Sequence, residues 1–527
     1  MKRAALLSLL GVSACASAPP PPAASPQAAL PAPAPASAPA VPRYAAVFDE
    51  LVQRIERDHT FPPKYAAYVG HAWKDDVPRL RAEFVAAKDR DEVLGALRHL
   101  QNSLRDAHCD LGAPADMQER WVRLGLRLWT GGTASAPDVR VSEVLDPDAK
   151  GQVSPGDSIV AVDGVALADW FAAHPFETNV LSPVPALGDT ASSIVFAGSP
   201  WSKVKEGDAR VLRIVHGGSP RDVTMHFRRG FPEVDGPDLD HPPPMAKVDC
   251  NAIAPPPYGS DYALAAMGVN VCVYKRPHAA RGGTAIVRFV SFWYGSGSDN
   301  AQSLRMVRVD HDVLTSALRD VSQVVLDLHE NHGGNNPFIF MGWFSGGPWD
   351  HERVVTRVVP GLDPATVADL FWGDEKNVTA YADAQKAGKA TIDTRFLCMG
   401  GPCVGETSPA SERVTRAPVA LVVGPECVSS CDTLALTWSS FHLGPIVGRQ
   451  PMHAYTVNRL PIHVRGPDSE DLGTLRVALS ESELKDGVTI EGEPLALDWE
   501  APDTFETRKT WVNDAVAHAF TRLQAGR

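Results

Sequence analysis

Between residues 43 and 120 apolar positions recur at helical spacing: Phe48, Leu51 and Ile55 share one face, and Leu97, Leu100 and Leu104 share another. The pattern predicts a small N-terminal helical domain. From 121 to 230 the period shortens to β-rich runs such as Val139-Arg140-Val141 and Val211-Leu212-Arg213-Ile214-Val215, with turns between them. A proline-rich stretch over 231–282 reads as a connector. Beyond it strands alternate with helices. Ala285-Ile286-Val287-Arg288-Phe289-Val290 is strand-like, Leu304, Val307, Leu314 and Leu318 fall on one helix face, and Val324-Val325-Leu326-Asp327-Leu328 is a second strand. Alternation of this kind argues for an α/β core over 283–527. The expected fold class is multidomain α+β.

The start of the chain changes the picture. Lys2 and Arg3 precede a short apolar run and small residues up to Cys15, as in a secretory signal, and the run is too short to span a bilayer. Residues 16–42 are almost entirely Pro, Ala and Ser, so they predict an extended tether rather than a core. Val12-Ser13-Ala14-Cys15 resembles the lipobox of bacterial lipoproteins. That resemblance implies cleavage before Cys15, lipidation of its thiol and an exported, membrane-anchored protein in the periplasm or at the cell surface. An ordinary signal peptide with an incidental cysteine is the alternative.

At 527 residues the chain has room for two or three domains, and a formal charge of −13 without a dense Lys/Arg block argues against nucleic acid as a partner. Export favours disulfides among the seven cysteines left after Cys15. Proximity suggests the pairs Cys427 with Cys431, Cys398 with Cys403 and Cys250 with Cys272, leaving Cys109 as the odd thiol. Cys427 and Cys431 would serve equally as small buried apolar residues. No CxxC pair supports zinc, and neither a metal nor a cofactor is expected.

The most reactive-looking stretch is 417–451. Val419-Ala420-Leu421-Val422-Val423 is an apolar strand stopped by Gly424 and Pro425, and Leu434, Trp438 and Phe441 recur at helical spacing downstream. Ser429 and Ser430 therefore sit where a strand gives way to a helix. The first amides of a helix lack internal partners and carry partial positive charge, so a hydroxyl there is either an N-cap or a nucleophile beside ready oxyanion donors. A second loop, His329-Glu330-Asn331-His332-Gly333-Gly334, comes after a buried strand, and its paired glycines allow close backbone approach to a ligand. His329 and His332 lack HExxH spacing and read as loop histidines. His108, just past the last apolar turn of the helical region, suits a surface residue or a base.

Four segments, LRDAH, VSPGDSIVAVDG, VVLDLHENHGG and ECVSSCDTLA, resemble in this order the C-terminal processing, or tail-specific, serine protease family. The second resembles the PGDxIxxVDG signature of bacterial PDZ domains, which implies a PDZ-like domain over 121–230 that captures a protein or peptide substrate by strand addition. The third matches DLRxNxGG. The resemblance implies a ClpP/crotonase-like protease core and a serine endopeptidase. Counting three residues back from Asp432 makes Ser429 the nucleophile, with oxyanion donors near Gly333 or Gly334 and at Ser430. The family's bacterial processing enzymes carry a lysine twenty-five residues after the serine, and here that position is Ala454, while Gly448 keeps its place. The tricorn-like branch instead takes a histidine upstream of the PDZ region, which His108 matches, although Ala107 replaces the serine expected before it. Glu491 lies in a segment resembling EGxGxxPD and would orient His108; His453 is the second candidate base. The alternative function is a catalytically inactive peptide-binding scaffold.

Overall fold

The helical stretch opens the computed structural model, which describes residues 43–525 apart from 63, 118–119, 230–249, 251–257, 277–282, 295–299, 335–336, 347–352, 372–373, 395–412, 455–456 and 484–488. Cys15, the tether, Cys398 and Cys403 thus lie outside the described residues. Helices Ala45–Asp58, Trp73–Ala86 and Arg90–Ser103 begin the fold. The third is started by Asp89, whose carboxylate accepts the Glu92 amide at 2.9 Å, with Asp91 and Glu92 complementing the helix dipole. The expected faces, Phe48, Leu51, Ile55, Leu97, Leu100 and Leu104, are all buried.

Those faces do not close on one another alone. They share a core with Leu460, Ile462, Leu475 and Val477 of strands Val457–Arg465 and Asp471–Glu483, far along the chain. These strands belong to a five-stranded sheet in which Asp110–Gly112 pairs antiparallel with Asp471–Glu483, Asp110 opposite Arg476. The reason is area: the helices present more apolar surface than they can bury on themselves, and each large aliphatic side chain covered contributes about 1.5–3 kcal/mol.

Residues 126–226 form a six-stranded antiparallel sheet whose strands include Ala136–Val144, Ser158–Val162 and Ala209–His216. Helices Leu167–Ala173 and Pro183–Val195 interrupt it. The third body is a seven-stranded sheet. In order across the sheet its strands are Ala263–Met267, Val271–Lys275, Gly283–Phe289, Val321–Asp327, Val419–Val423, Ile446–Gly448 and Trp499–Glu500. From Gly283–Phe289 onward the pairing is parallel.

The connector assignment for 231–282 needs correcting at its end. Val271-Cys272-Val273-Tyr274, hidden among prolines in the sequence, is a fully buried strand, and Ala263–Met267 forms the sheet edge beside it. Leu304 also departs from expectation: Val307, Leu314 and Leu318 are buried, but Leu304 is 42% exposed. The architecture is mixed α/β with several sheets, and Pro42–Arg527 form one compact unit.

Candidate active site

The central strand Val419–Val423 is buried throughout, so its end is fixed, and the chain leaving it must turn sharply. Gly424 permits the turn: a Cβ there would meet Trp511 at 2.8 Å and the His329 carbonyl oxygen at 2.9 Å. A disulfide between Cys427 and Cys431, Cα atoms 5.2 Å apart, brackets the next residues. Between them Ser429 takes φ +60°, ψ −124°, and helix Ser430–Ser440 begins directly after it. A non-glycine residue holds such a backbone only where its surroundings impose it. Here the Ser429 amide donates to the Ala454 carbonyl at 3.0 Å, and the Ser429 carbonyl accepts from the Thr433 amide at 2.9 Å.

The Gly-Gly loop is pressed against this turn. Buried Asn331 organises it: its Nδ2 donates to the Phe289 carbonyl at 2.9 Å, its Oδ1 accepts the Gly333 amide at 2.8 Å, and its own carbonyl accepts the Val428 amide at 3.3 Å. Gly333 has φ +82°, and a Cβ on it would lie 2.9 Å from Ser429 Cβ and 3.0 Å from the Ser430 nitrogen. Ser430 Oγ donates to the Gly334 carbonyl at 2.9 Å. The Gly333 amide is occupied by Asn331, and the Ser430 amide is the first of the helix.

Behind the loop, Asp327 Oδ1 accepts from His329 Nδ1 at 2.7 Å and from the His329 amide at 3.1 Å, while Tyr258 hydroxyl donates to Oδ2. Burial alone would raise the Asp327 pKa, but the His329 and Arg288 charges prevail and hold it below the ordinary carboxylate value. His329 lies in the loop, as expected, but is buried as a structural partner of Asp327, whereas His332 faces Glu426 at 3.6 Å and is half-exposed.

His108 sits on a turn built by its neighbours. Asp106 Oδ1 accepts the His108 amide at 2.9 Å, and the Asp106 carbonyl accepts the Cys109 amide at 3.0 Å. The His108 Nδ1 atom is buried without a hydrogen-bond partner. Burial depresses its pKa first of all, opposed by Asp106 and reinforced by Arg459. Beneath the turn lie His59, Asp106 and the free thiol Cys109, all buried, with one candidate ligand atom of each within 4.8 Å of the others. This is the group of described residues with a metal-like composition. Yet the His59 Nδ1 edge, 4.0 Å from Cys109 Sγ, is held by the Ala478 carbonyl at 3.2 Å, so the cluster reads as a hydrogen-bonded bracket behind His108.

His453 takes φ +58°, is buried, and has an unpartnered Nδ1; burial and Lys64 push its pKa down to about 4. Its amide and that of Ala454 donate to the two oxygens of Asp432 at 3.3 and 3.1 Å. Its carbonyl accepts the Gly492 amide at 3.1 Å, which brings the segment of Glu491, itself 2% exposed, against the same turn. Hydrogen bonds and close contacts therefore join Ser429, Ser430, Gly333, Gly334, 453–454 and 490–492 into one corner. Among the described residues the Ser429 hydroxyl makes no hydrogen bond to His108 or His453. The sequence placed Asn331 in the DLRxNxGG match without a role and used Asp432 only for counting, although the Asn-x-Gly and Ser-x-x-Asp spacings were the available signals. The disulfide Cys250–Cys272 is present as paired.

No protein-family model matches the sequence, and no curated protein is similar to it. Among solved structures the chain is similar to mature CPAF complexed with lactacystin, at 13% identity over 92% of this chain and 99% of that one, with a TM-score of 0.65. A second structure of mature CPAF gives 11% identity over 92% and 97%, with a TM-score of 0.62. The photosystem II D1 C-terminal processing protease is found at 14% identity over 89% and 97%, with a TM-score of only 0.38. The class that the likeness to the two mature CPAF structures defines is a mixed α/β, multi-sheet fold. In particular, it is the fold of mature CPAF, shared over nearly the whole of both chains.

Proposed function

We propose that this chain is an exported serine endopeptidase that hydrolyses protein substrates through an acyl-enzyme on Ser429. The observation that carries the reading is Ser429 itself, held at φ +60° on the N-terminus of a helix with Gly333 packed against it. A serine hydroxyl is a poor nucleophile unassisted. His108, kept neutral by burial, would take its proton as Oγ attacks the peptide carbonyl, with Glu491 orienting the ring; the amides of Gly334 and Ser430 would receive the oxyanion. The imidazolium then returns the proton to the leaving amine, and water attacks the acyl-enzyme by the same route. The six-stranded sheet, carrying the PDZ-like signature on Ser158–Val162, would hold the substrate chain by strand addition. No helix of the described residues is long and apolar enough to cross a membrane, and we assign anchorage to a lipid on Cys15.

The inactive-scaffold alternative draws support from Ala454 in place of the family lysine and Ala107 before His108. One experiment separates the readings: fluorophosphonate labelling of membrane and soluble fractions from cells expressing the native chain, Ser429→Ala or Cys15→Ser. Labelling of the native chain in the membrane fraction, lost in Ser429→Ala and moved to the soluble fraction in Cys15→Ser, is the expected result. An unlabelled native chain would leave the scaffold. Mature CPAF forms a complex with lactacystin, which makes that compound a fitting first ligand to test for competition.

A further inference from the structure

We infer that Asp432 is a positioning residue for the reaction proposed at Ser429, a step that rests on the peptidase reading. Asp432 lies in the first turn of helix Ser430–Ser440 and is fully buried. A carboxylate in such a place would ordinarily sit beside a cation. Instead its stabilising neighbours are backbone amides, those of Ala454, His453 and Ser429, against a burial that pushes its pKa well up.

The geometry closes a ring. Ser429 donates through its amide to the Ala454 carbonyl at 3.0 Å. Ala454 in turn donates to Asp432 Oδ2 at 3.1 Å, and His453 donates to Oδ1 at 3.3 Å. Asp432 stands three residues from Ser429 on the same helical turn, so the ring returns to its origin through covalent structure. Two of its members, Ser429 and His453, have positive φ, +60° and +58°. Such backbones relax unless held from outside, and Asp432 reaches across to the segment holding both. That backbone fixes the direction of the Ser429 Cα–Cβ bond, so the Asp432 carboxyl group acts on the nucleophile through the main chain.

Asp432→Asn tests this, because the amide keeps the shape but offers one acceptor and one NH2 group to two converging N–H donors. The full-length protein would be labelled to saturation with a fluorophosphonate to count competent sites, and turnover of a peptide substrate would be referred to that count. The expected result is near-native site stoichiometry with the labelling rate and kcat both down about a hundredfold, and KM within about threefold of native. Fewer sites, each reacting at the native rate, would assign Asp432 to stability alone and overturn the inference. Should Asp432→Asn not fold, Asp432→Ser, which retains one acceptor, is read in the same way, and failure of both to fold also overturns it. An unlabelled native protein would instead sink the peptidase reading, a separate outcome.

Discussion

Gly333→Ala is a substitution that the proposed site cannot absorb without moving. The new Cβ would lie 2.5 Å from the Val428 carbonyl oxygen, 2.9 Å from Ser429 Cβ and 3.0 Å from the Ser430 nitrogen, at φ +82°. Ordinary contact begins at 3.4 Å, so the loop must move by about 0.9 Å from the Val428 carbonyl oxygen, at the start of the Ser429 turn. The left-handed backbone costs an L-residue about 1–2 kcal/mol of stability. A displacement near 1 Å at reacting groups costs about a hundredfold in rate, or about 2.7 kcal/mol of barrier. Gly388→Ala provides the control, since Gly388 has φ +64° with nothing within 4 Å of the added Cβ. Both variants should lose thermal stability through the left-handed backbone, and Gly333→Ala more than Gly388→Ala because of its added clashes. Only Gly333→Ala should lose fluorophosphonate labelling rate and peptide turnover. If Gly333→Ala were labelled as fast as the native protein, the Gly-Gly loop would have no part in the chemistry.

His108→Ala should lower turnover about a thousandfold or more while leaving peptide capture intact; the reverse pattern, with His453→Ala the damaging change, would move the base to the 453–454 turn. With His108 as base, the acid limb of kcat/KM should fall below 6.5, the ordinary imidazole value, because burial depresses the ring's pKa. Stability should carry the same sign: the folded state binds fewer protons at His108 than the unfolded chain, so its contribution is complete above 6.5 and is lost as pH falls through 6.5 toward the folded value. Replacing Cys427 and Cys431 together by Ala opens a four-residue link and should cost about 2 kcal/mol by chain entropy, read from the thermal midpoint; peptide mapping without reductant that finds both thiols free would contradict the pairing.

The elements were legible in the sequence where local period decided them. Val419–Val423 is the strand expected, and Leu434 and Trp438 are buried along the helix downstream of it. Ser429 at the strand–helix junction could be read from the same pattern. What local period lacks is the identity of distant partners. Nothing near Asp110 announces that it pairs with Arg476, and nothing near Leu97 announces that its face closes on Leu475. The strand Val271–Lys275 was obscured because prolines on either side dominate the composition of its surroundings. At the site, the paired glycines pointed to close approach, but not to Asn331 taking the Gly333 amide, since that bond depends on how the loop folds back.

Ala454, at the position where the tail-specific proteases that the sequence resembles carry a lysine, contributes its main chain to the corner. Ala454 offers no base, yet its carbonyl holds the Ser429 amide and its amide holds Asp432, so the main chain there still shapes the nucleophile. A side chain can be dropped from such a position without dissolving the turn. Proton transfer must then come from another element. His453 is beside the turn, but with a pKa pushed to about 4 it has little affinity for the serine proton near neutrality. His108 is also depressed by burial, but Asp106 and Asp110 both pull its pKa back up, and Asp106 fixes its turn through the His108 amide. Of the two imidazoles, His108 is the one with carboxylates around it, Asp106 and Asp110, that favour the imidazolium forming as a serine attacks.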